Sequence, residues 1–310
     1  MLALQVGAVH ITGCAVDPGG AVRERARWFT RPERGPDAVL DSVLGCAATL
    51  ADRWRPTAAG IVLPGAVDEV SGRAVRATAL GWHGTPVGDW AAEHLDLPVA
   101  VGHDGRTAAL AEARDGAGRD CPDFLSVSVG DGVAAALVVG GRIVRAGPPE
   151  ADELGHTVVR PGGEPCHCGG RGCLEAVASG AAVSRRYARA TSWRGLSARE
   201  VYHRADAGDA AALAIRAEAL DALADAVAPV VGRHRPERLV LGVGPAEAGA
   251  SCVPPLRAAL AARLTGQDVP DLRPARFGDG SACVGAALLA RDLGRVRAAG
   301  QGAGPLGGGS

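Results

Sequence analysis

The same order of apolar segments occurs twice along this 310-residue chain. Each set opens with three short apolar runs of strand length and continues with longer segments whose apolar residues recur at helical spacing. Strands that alternate with helices in this way predict an α/β fold with a mixed sheet in each half. A cleft between two such halves is a favoured place for a ligand. The opening runs are residues 2–9, 11–16 and 25–30 in the first half and residues 124–129, 133–139 and 142–145 in the second.

The pattern divides the chain into two predicted domains and a tail. The first domain comprises residues 1–115 and is joined by a C-terminal helix at residues 281–296. The second domain comprises residues 116–280 and contains a cysteine-rich loop at residues 156–175. The final residues, 298–310, are mostly glycine, alanine and proline, and this composition predicts a disordered tail.

All 33 basic side chains are arginine, and the chain contains no lysine. This excludes Schiff-base chemistry on a lysine, a Walker-type phosphate loop and the strand lysine of protein kinases. A formal net charge of −1 gives no electrostatic basis for a nucleic-acid partner. No apolar run reaches the roughly 18–20 residues of a membrane span, and the N-terminus lacks the features of a signal peptide. We therefore expect a cytoplasmic protein with no membrane contact.

Three cysteines follow one another closely in the loop of the second half, and a histidine precedes them. Three thiolates and one imidazole form a closed, tetrahedral zinc site of the structural kind. We expect this zinc to brace the loop and to orient two nearby glutamates. The alternatives are a chance cluster of thiols, which the glycine spacing disfavours, and His167 as the imidazole ligand. The predicted ligands are His156, Cys166, Cys168 and Cys173.

A carboxylate also stands at a junction of a strand and a helix. Asp104 follows the strand predicted at residues 99–101 and precedes the helix predicted at residues 107–114. A carboxylate at such a junction can face a cleft and serve as a general base. An aspartate here can also cap the helix, because its side chain accepts a hydrogen bond from the first turn. Both interpretations stay open at this point.

The segments Glu153–His156 and Cys166–Glu175 resemble the signature of the ROK family (repressors, open reading frames and sugar kinases). That signature reads Glu-x-Gly-His followed by Cys-x-Cys-Gly-x-x-Gly-Cys-Leu-Glu, and the resemblance extends from Leu2 to about Leu293. It implies an actin-like fold of two ribonuclease-H-like domains, a homodimer, and phosphorylation of a hexose with ATP and magnesium. Family repressors carry an additional N-terminal DNA-binding domain. Because the first predicted strand begins at Leu2, we expect no nucleic-acid partner.

The resemblance also assigns roles to individual side chains. In the family, the aspartate at the position of Asp104 is the general base that takes the proton from the attacking sugar hydroxyl. Ala79 and His103 stand where the family usually has asparagine, so glucose itself is not assigned as the substrate. The resemblance implies a pocket for a small polyol that is lined by Gly65, His103, Asp104, Glu153, His156 and Glu175.

The departures from the family lie in the hairpins that hold ATP. The first hairpin of the family reads Asp-x-Gly-Gly-Thr-Lys, and here Gln5 replaces the magnesium-supporting aspartate and Val9 replaces the threonine. In the second hairpin, Asp131 puts a negative charge where a phosphate oxygen would lie, and like charges repel. The nucleotide positions retained in these degenerate hairpins are Gly7, Gly130, Gly132, Gly242 and Gly244.

These observations leave three functions open. We expect a ROK-fold protein that binds a sugar, aminosugar or cyclitol, that has lost ordinary ATP–Mg²⁺ phosphotransfer, and whose carboxylates and His103 serve proton transfer without ATP. The first alternative is an ATP-dependent sugar or cyclitol kinase with Asp104 as the base, in which Asp131 takes over the support of magnesium. The second alternative is a non-catalytic pseudokinase that binds a sugar or a partner protein.

Overall fold

The computed structural model describes residues 1–145, 147, 153–244 and 246–301 of the chain. Its strands are two to eight residues long, as the short apolar runs predict. The strands are β1 (Leu2–Val6), β2 (His10–Val16), β3 (Val22–Phe29), β4 (Ala59–Leu63), β5 (Ala66–Asp68), β6 (Arg73–Ala77), β7 (Trp82–Thr85), β8 (Val99–His103), β9 (Phe124–Val129), β10 (Val133–Val139), β11 (Arg142–Ile143), β12 (Arg238–Val243) and β13 (Asp271–Pro274).

The helices follow the longer periodic segments. One helix predicted at residues 173–190 is divided at Ser179, whose extended backbone ends one helix and whose side chain caps the next by accepting from the Ala182 N–H at 3.1 Å. None of the helices in the described ranges is long and apolar enough to cross a membrane. The helices are α1 (Pro36–Trp54), α2 (Val87–Leu95), α3 (Asp104–Asp115), α4 (Leu174–Ala178), α5 (Gly180–Ala190), α6 (Ala198–Asp206), α7 (Ala210–His234), α8 (Ala246–Ala261) and α9 (Ser281–Gln301).

Each half of the chain contains a five-stranded sheet with the same strand order. The first sheet is ordered β3-β2-β1-β4-β8 and the second β11-β10-β9-β12-β13. In both sheets the first three strands are antiparallel and the remaining strands are parallel. The repetition of the α/β pattern is therefore confirmed, and it includes β13, which the sequence analysis did not predict.

A three-stranded sheet of β5, β6 and β7 is inserted between β4 and α2. The sequence analysis assigned no strands to residues 66–85, because these strands have only three to five residues and no clean apolar alternation. Its Ala74, Ala77 and Trp82 are buried in the core of the first half. The turn at Gly65 precedes this sheet and lines the cleft, and the strand residue Arg76 lies beside Glu153 of the cleft lining.

Helices α3 and α9 connect the two halves and cross at close range. A Cβ atom added to Gly285 would lie 2.1 Å from the carbonyl oxygen of Thr107, so only glycine permits this approach. The end of β8 and the start of α3 are thereby fixed beside the cleft. Helix α9 continues to Gln301, so residues 298–301 of the predicted tail are helical, and residues 302–310 lie outside the described part of the chain.

Candidate substrate cleft

A cavity of about 360 Å³ lies between the two halves of the chain. We call the end lined by Asp104, Glu153 and Glu175 the acidic half, and the end lined by residues 5–10 and 128–134 the hairpin half. The loops that follow β1, β4, β8 and β9 all border it, because strands that share one direction end at the same side of their sheets. The residues predicted to bind a polyol all line the cavity, namely Gly65, His103, Asp104, Glu153, His156 and Glu175.

Asp104 is held at the junction of β8 and α3 by its neighbours. Its Oδ1 accepts the N–H of Gly105 at 2.7 Å and lies 3.3 Å from Nε2 of His103. Among the described residues, no hydrogen bond to Oδ2 of Asp104 is found. This oxygen is therefore available to a ligand in the cavity.

His103, rather than Asp104, caps helix α3. Its Nδ1 accepts the N–H of Arg106 at 3.2 Å, so a neutral ring carries its proton on Nε2 and can donate it to Asp104. The His103 side chain is almost completely buried. The sequence analysis considered Asp104 as the cap of this helix and His103 as an acid or base. The contacts instead make His103 the cap and leave one oxygen of Asp104 available to a ligand.

Glu69, which the sequence analysis did not single out, holds the end of β8 through hydrogen bonds. Its Oε1 accepts the N–H of His103 at 3.0 Å and Nε of the buried Arg106 at 3.1 Å. Arg145 contacts the other oxygen of the same carboxylate. The contacts join residues 34 to 76 positions apart, and no local pattern in the sequence signals them.

Glu175 and Glu153 line the acidic half together with Asp104. Oε2 of Glu175 accepts the N–H of Val133 at 2.9 Å, and its Oε1 lies 3.2 Å from Nδ1 of His167. Burial raises the pKa of the Glu175 carboxyl, and the nearby carboxylates of Asp104 and Glu153 add to this effect. Three carboxylates around one cavity suit the recognition of several hydroxyl groups, because each ionised oxygen accepts hydrogen bonds.

Gly65 brings its backbone against the inserted sheet at the edge of the acidic half. Its φ of 79° lies in the left-handed region, and an added Cβ would lie 2.4 Å from the carbonyl oxygen of Arg76. The guanidinium of Arg76 in turn lies 3.6 Å from Oε2 of Glu153. Arg76 is a cation that the sequence analysis missed.

The four predicted zinc ligands lie together, with their ligand atoms all within 4.8 Å of one another. Sγ of Cys168 is 3.7 Å from Sγ of Cys173, and Sγ of Cys166 is 3.5 Å from Nδ1 of His156. Zn–S bonds of about 2.3 Å in a tetrahedron separate two sulfurs by about 3.8 Å, so the side chains fit the ion. Burial raises the pKa of the Cys166 thiol to about 12, and a bound cation would stabilise the thiolate there.

The cysteine-rich loop at residues 156–175 is held against helix α7 by Arg160, which the sequence analysis did not single out. Arg160 donates to Asp221 at 2.9 Å and to Asp225 at 2.5 Å, and Arg263 donates to the same two carboxylates. The aspartates are four positions apart, so they share one face of the helix. That spacing was a signal in the sequence, but nothing in it identified the loop as the partner.

In the hairpin half, Asp131 contacts the first hairpin directly. Its Oδ2 accepts the backbone N–H of His10 at 3.1 Å and lies 3.2 Å from Nδ1 of the His10 ring. Nη2 of Arg27 lies 2.8 Å from that same Nδ1. Because a guanidinium can only donate, a neutral His10 accepts from Arg27, and a protonated one donates to Asp131. The three side chains therefore form a charge-compensated cluster that joins the two hairpins.

The position of Asp131 leaves little room above the backbone of the first hairpin. A Cβ atom added to Gly7 would lie 3.0 Å from Oδ2 of Asp131. Backbone N–H groups at such turns are the donors that bind phosphate oxygens. Here the carboxylate of Asp131 is the acceptor for the N–H of His10, the kind of contact that a phosphate oxygen would make.

The glycines predicted to bind a nucleotide are not all at the cavity. Gly7, Gly130 and Gly132 line it, whereas Gly242 and Gly244 are absent from its described lining. An added Cβ on Gly242 would lie 3.0 Å from the carbonyl oxygen of Gly278, and Gly244 accepts the N–H of Asp279 at 2.7 Å. These two glycines permit close packing of β12 against the turn before α9.

Comparison with known proteins agrees with this architecture. The ROK family model matches residues 1–293. The chain is 30% identical to the glucokinase of Thermotoga maritima over 83% of this chain and 86% of that protein. It is 31% identical to the glucokinase of Halalkalibacterium halodurans over 75% of each. The ROK family glucokinase of Streptomyces griseus, solved with glucose and AMPPNP, superposes with a TM-score of 0.85 at 26% identity, over 94% of this chain and 99% of that one.

Two sheets of equal strand order around a cleft, and the similarity to solved sugar kinases, define a protein of the two-domain, actin-like ATPase class. Within that class the chain belongs to the ROK family. Its similar proteins include glucokinases and N-acetylmannosamine kinases. The family resemblance and the fold class stated from the sequence are thereby confirmed.

Proposed function

We propose that this protein binds a sugar, aminosugar or cyclitol in the acidic half of the cleft, and that ordinary phosphotransfer from ATP–Mg²⁺ is lost. The observation that carries the proposal is the contrast between the two halves of one cavity. Asp104, Glu153 and Glu175 surround the acidic half. In the hairpin half, by contrast, Asp131 accepts the N–H of His10 directly.

Asp104 is the proposed catalytic residue of the acidic half. Its Oδ1 is engaged by Gly105 and His103, and this orients the carboxylate and leaves Oδ2 to receive a proton from a polyol hydroxyl. His103 acts as a positioning residue, because its buried ring fixes Asp104 from one side. Without a phosphoryl donor, the same carboxylate can take a proton from a carbon or an oxygen of the polyol, as isomerisation or elimination requires.

Magnesium and ATP do not fit the residues of the hairpin half well. Gln5 offers an amide where the family motif has the aspartate that supports magnesium, and an amide carries no charge to offset that of the ion. Asp131 has a charge, but its Oδ2 is directed at His10. Phosphoryl transfer depends on positioning and on neutralising the developing charge, so losing both contacts removes transition-state stabilisation.

The second candidate is an ATP-dependent sugar or cyclitol kinase. The similarity of the chain to glucokinases favours this candidate. In that case Asp104 is the general base, and Asp131 turns from His10 to the magnesium ion. The zinc-braced loop, the cytoplasmic location and the homodimer stay predictions under both candidates. A non-catalytic role differs from both in that a polyol would bind and remain unchanged.

Polyol binding tests the acidic half. By calorimetry with a panel of hexoses, N-acetylated aminosugars and inositols, we expect wild type to bind at least one compound. Glu153→Gln is expected to weaken that binding about 10- to 100-fold, because a hydrogen bond to a charged group is lost. Glu164→Gln is the matched control, since Glu164 lies in the nearby cysteine-rich loop, outside the described lining of the cavity, and pairs with Arg189. Absence of binding to every compound, or equal weakening in both variants, would contradict the proposal.

Restoring the family residues tests the hairpin half. We expect wild type to show no sugar-dependent ADP release with ATP–Mg²⁺ in a coupled assay. The double variant Gln5→Asp/Asp131→Thr introduces the threonine of the family's second hairpin, which reads Gly-Thr-Gly. We expect it to raise that rate by at least about 100-fold, because it restores the metal-supporting carboxylate and frees the hairpin. Gln5→Asn/Asp131→Asn is the control without the new carboxylate. Rapid sugar-dependent turnover by wild type would instead establish the kinase candidate.

A further inference from the structure

Three arginines line the hairpin half of the cavity, and none of them is paired with a carboxylate among the described residues. Arg27 donates to Nδ1 of His10 at 2.8 Å, and Arg185 donates to the carbonyl oxygen of Ala176 at 3.2 Å. The side chain of Arg25 makes no hydrogen bond or ion pair within the described part of the chain. An arginine with free N–H groups beside a cavity is a donor to an anion, since the guanidinium is always charged.

Three carboxylates reach this half among the described residues, and two of them are already engaged. Asp131 is compensated by His10 and Arg27, as described above. Glu175 accepts the N–H of Val133 and lies beside His167. Asp279 also lines the cavity, at the turn that precedes α9, and within the described part of the chain only its backbone N–H is engaged, with Gly244. The guanidinium groups of Arg25 and Arg185 therefore face one uncompensated carboxylate, although the chain as a whole carries a net charge of −1.

Helix α5 adds to the field of these guanidinium groups. It begins beside the second hairpin, where Gly180 donates its N–H to the carbonyl oxygen of Gly130 at 2.7 Å. Ser179 and Ala181, at this helix start, line the cavity together with Arg185 from the next turn. The N-terminus of a helix attracts anions, and the nearby guanidinium strengthens the effect.

We infer that the hairpin half binds a phosphoryl group directly through Arg25, Arg27 and Arg185, without a divalent cation. Guanidinium groups bind phosphate oxygens by charge-assisted hydrogen bonds and need no bridging ion. A site of this kind needs no metal-supporting carboxylate at position 5, where this chain has Gln5. The phosphoryl group has two sources, a nucleotide or polyphosphate on the one hand and an already phosphorylated polyol on the other. The second source rests on the proposed function, because its polyol part would occupy the acidic half of the same cavity.

Calorimetry in the presence of EDTA tests the inference with three probes: inorganic triphosphate, ATP and a hexose 6-phosphate. We expect at least one of them to bind to wild type. Arg25→Gln and Arg185→Gln are each expected to weaken this binding about 10-fold or more, because each removes a charge-assisted contact. Asp279→Asn is expected to strengthen it, since it removes the uncompensated carboxylate. Tighter binding of the hexose phosphate than of triphosphate would identify a phosphorylated polyol, and the opposite order a nucleotide or polyphosphate.

Arg23→Gln is the matched control, because Arg23 lies on the same strand as Arg25 but pairs with Asp17 outside the cavity. Unchanged circular dichroism of all variants shows that loss of binding is not loss of folding. The inference is overturned if no probe binds in EDTA, if binding requires added magnesium, or if Arg25→Gln and Arg185→Gln bind like Arg23→Gln.

Binding of an unphosphorylated polyol separates this inference from the proposed function. Arg25→Gln and Arg185→Gln should leave it unchanged, because these side chains lie in the hairpin half. If no polyol binds to wild type while triphosphate does, the proposed function fails and the inference stands. If a polyol binds while none of the three phosphorylated probes does, the inference fails and the proposed function stands.

Discussion

A Cys173→Ser variant is expected to lose its zinc and, with it, most of its affinity for a polyol. Cys173 is the N-cap residue directly before α4, and Glu175 lies in the first turn of that helix. A structural zinc site contributes binding energy on the order of 10 kcal/mol to the folding of its loop. Without the ion, three thiols and an imidazole have nothing to hold them together, so the wall that carries Glu175 loses its fixed position.

The zinc prediction is checked by metal analysis, calorimetry and thermal unfolding. Wild type should contain about one zinc per chain, and the variant well below that. Cys121→Ser is the matched control, because its buried thiol donates to the carbonyl oxygen of Asp123 at 3.3 Å and a hydroxyl can replace it. A wild type without zinc, or a Cys173→Ser variant that keeps both zinc and polyol affinity, would show that the four side chains do not form the site proposed.

The cluster of four candidate zinc ligands could be predicted from the sequence because its geometry is local. Cys166, Cys168 and Cys173 are brought together by the tight turns of one loop, and only His156 is recruited from ten residues upstream. Most strands were likewise visible as short apolar runs, since burial on both faces of a central sheet leaves a continuous apolar signal. In both cases the residues that determine the structure lie close to one another in the sequence.

Contacts between distant segments could not be predicted in the same way. The contact between His10 and Asp131 joins residues 121 positions apart, and it exists only because the two repeated sheets place their first hairpins face to face. The sequence analysis predicted a harmful charge at Asp131 but did not identify its partner. Arg238 shows the same limit: it is buried and paired with Asp120 and Asp271, which lie 118 and 33 positions away in the sequence.

The small inserted sheet was missed for a different reason. Strands β5 and β7 have only three and four residues, and their stability comes from packing against the core rather than from intrinsic preference. Arg76, which lies on this sheet, was therefore found only in the structure. The position of Asp104 between a strand and a helix and the resemblance to the ROK family thus suggested the carboxylates of the acidic half, whereas the contact of Arg76 with Glu153 depends on the tertiary fold.

Glu112→Ala is expected to lower the free energy of unfolding by at least about 3 kcal/mol, since it leaves several buried donors without an acceptor. The Glu112 carboxylate is completely buried near the end of α3. Its Oε1 accepts from the Ser281 hydroxyl at 2.8 Å and the Phe277 N–H at 3.2 Å. Its Oε2 accepts from the N–H groups of Ala117 at 2.7 Å and Arg276 at 3.1 Å. One side chain therefore joins the end of α3 to the turn that starts α9.

Denaturant unfolding measures this effect, and two further variants define its cause. Glu112→Gln keeps the shape but loses the second pair of acceptor sites, so its loss of stability should lie between those of wild type and Glu112→Ala. Glu93→Ala, at an exposed position of α2, should change stability by less than about 0.5 kcal/mol. Equal stability of all three variants would mean that α3 and α9 hold their crossing without this carboxylate. The close approach of Gly285 to Thr107 would then be sufficient to fix Asp104, at the other end of α3, beside the cleft.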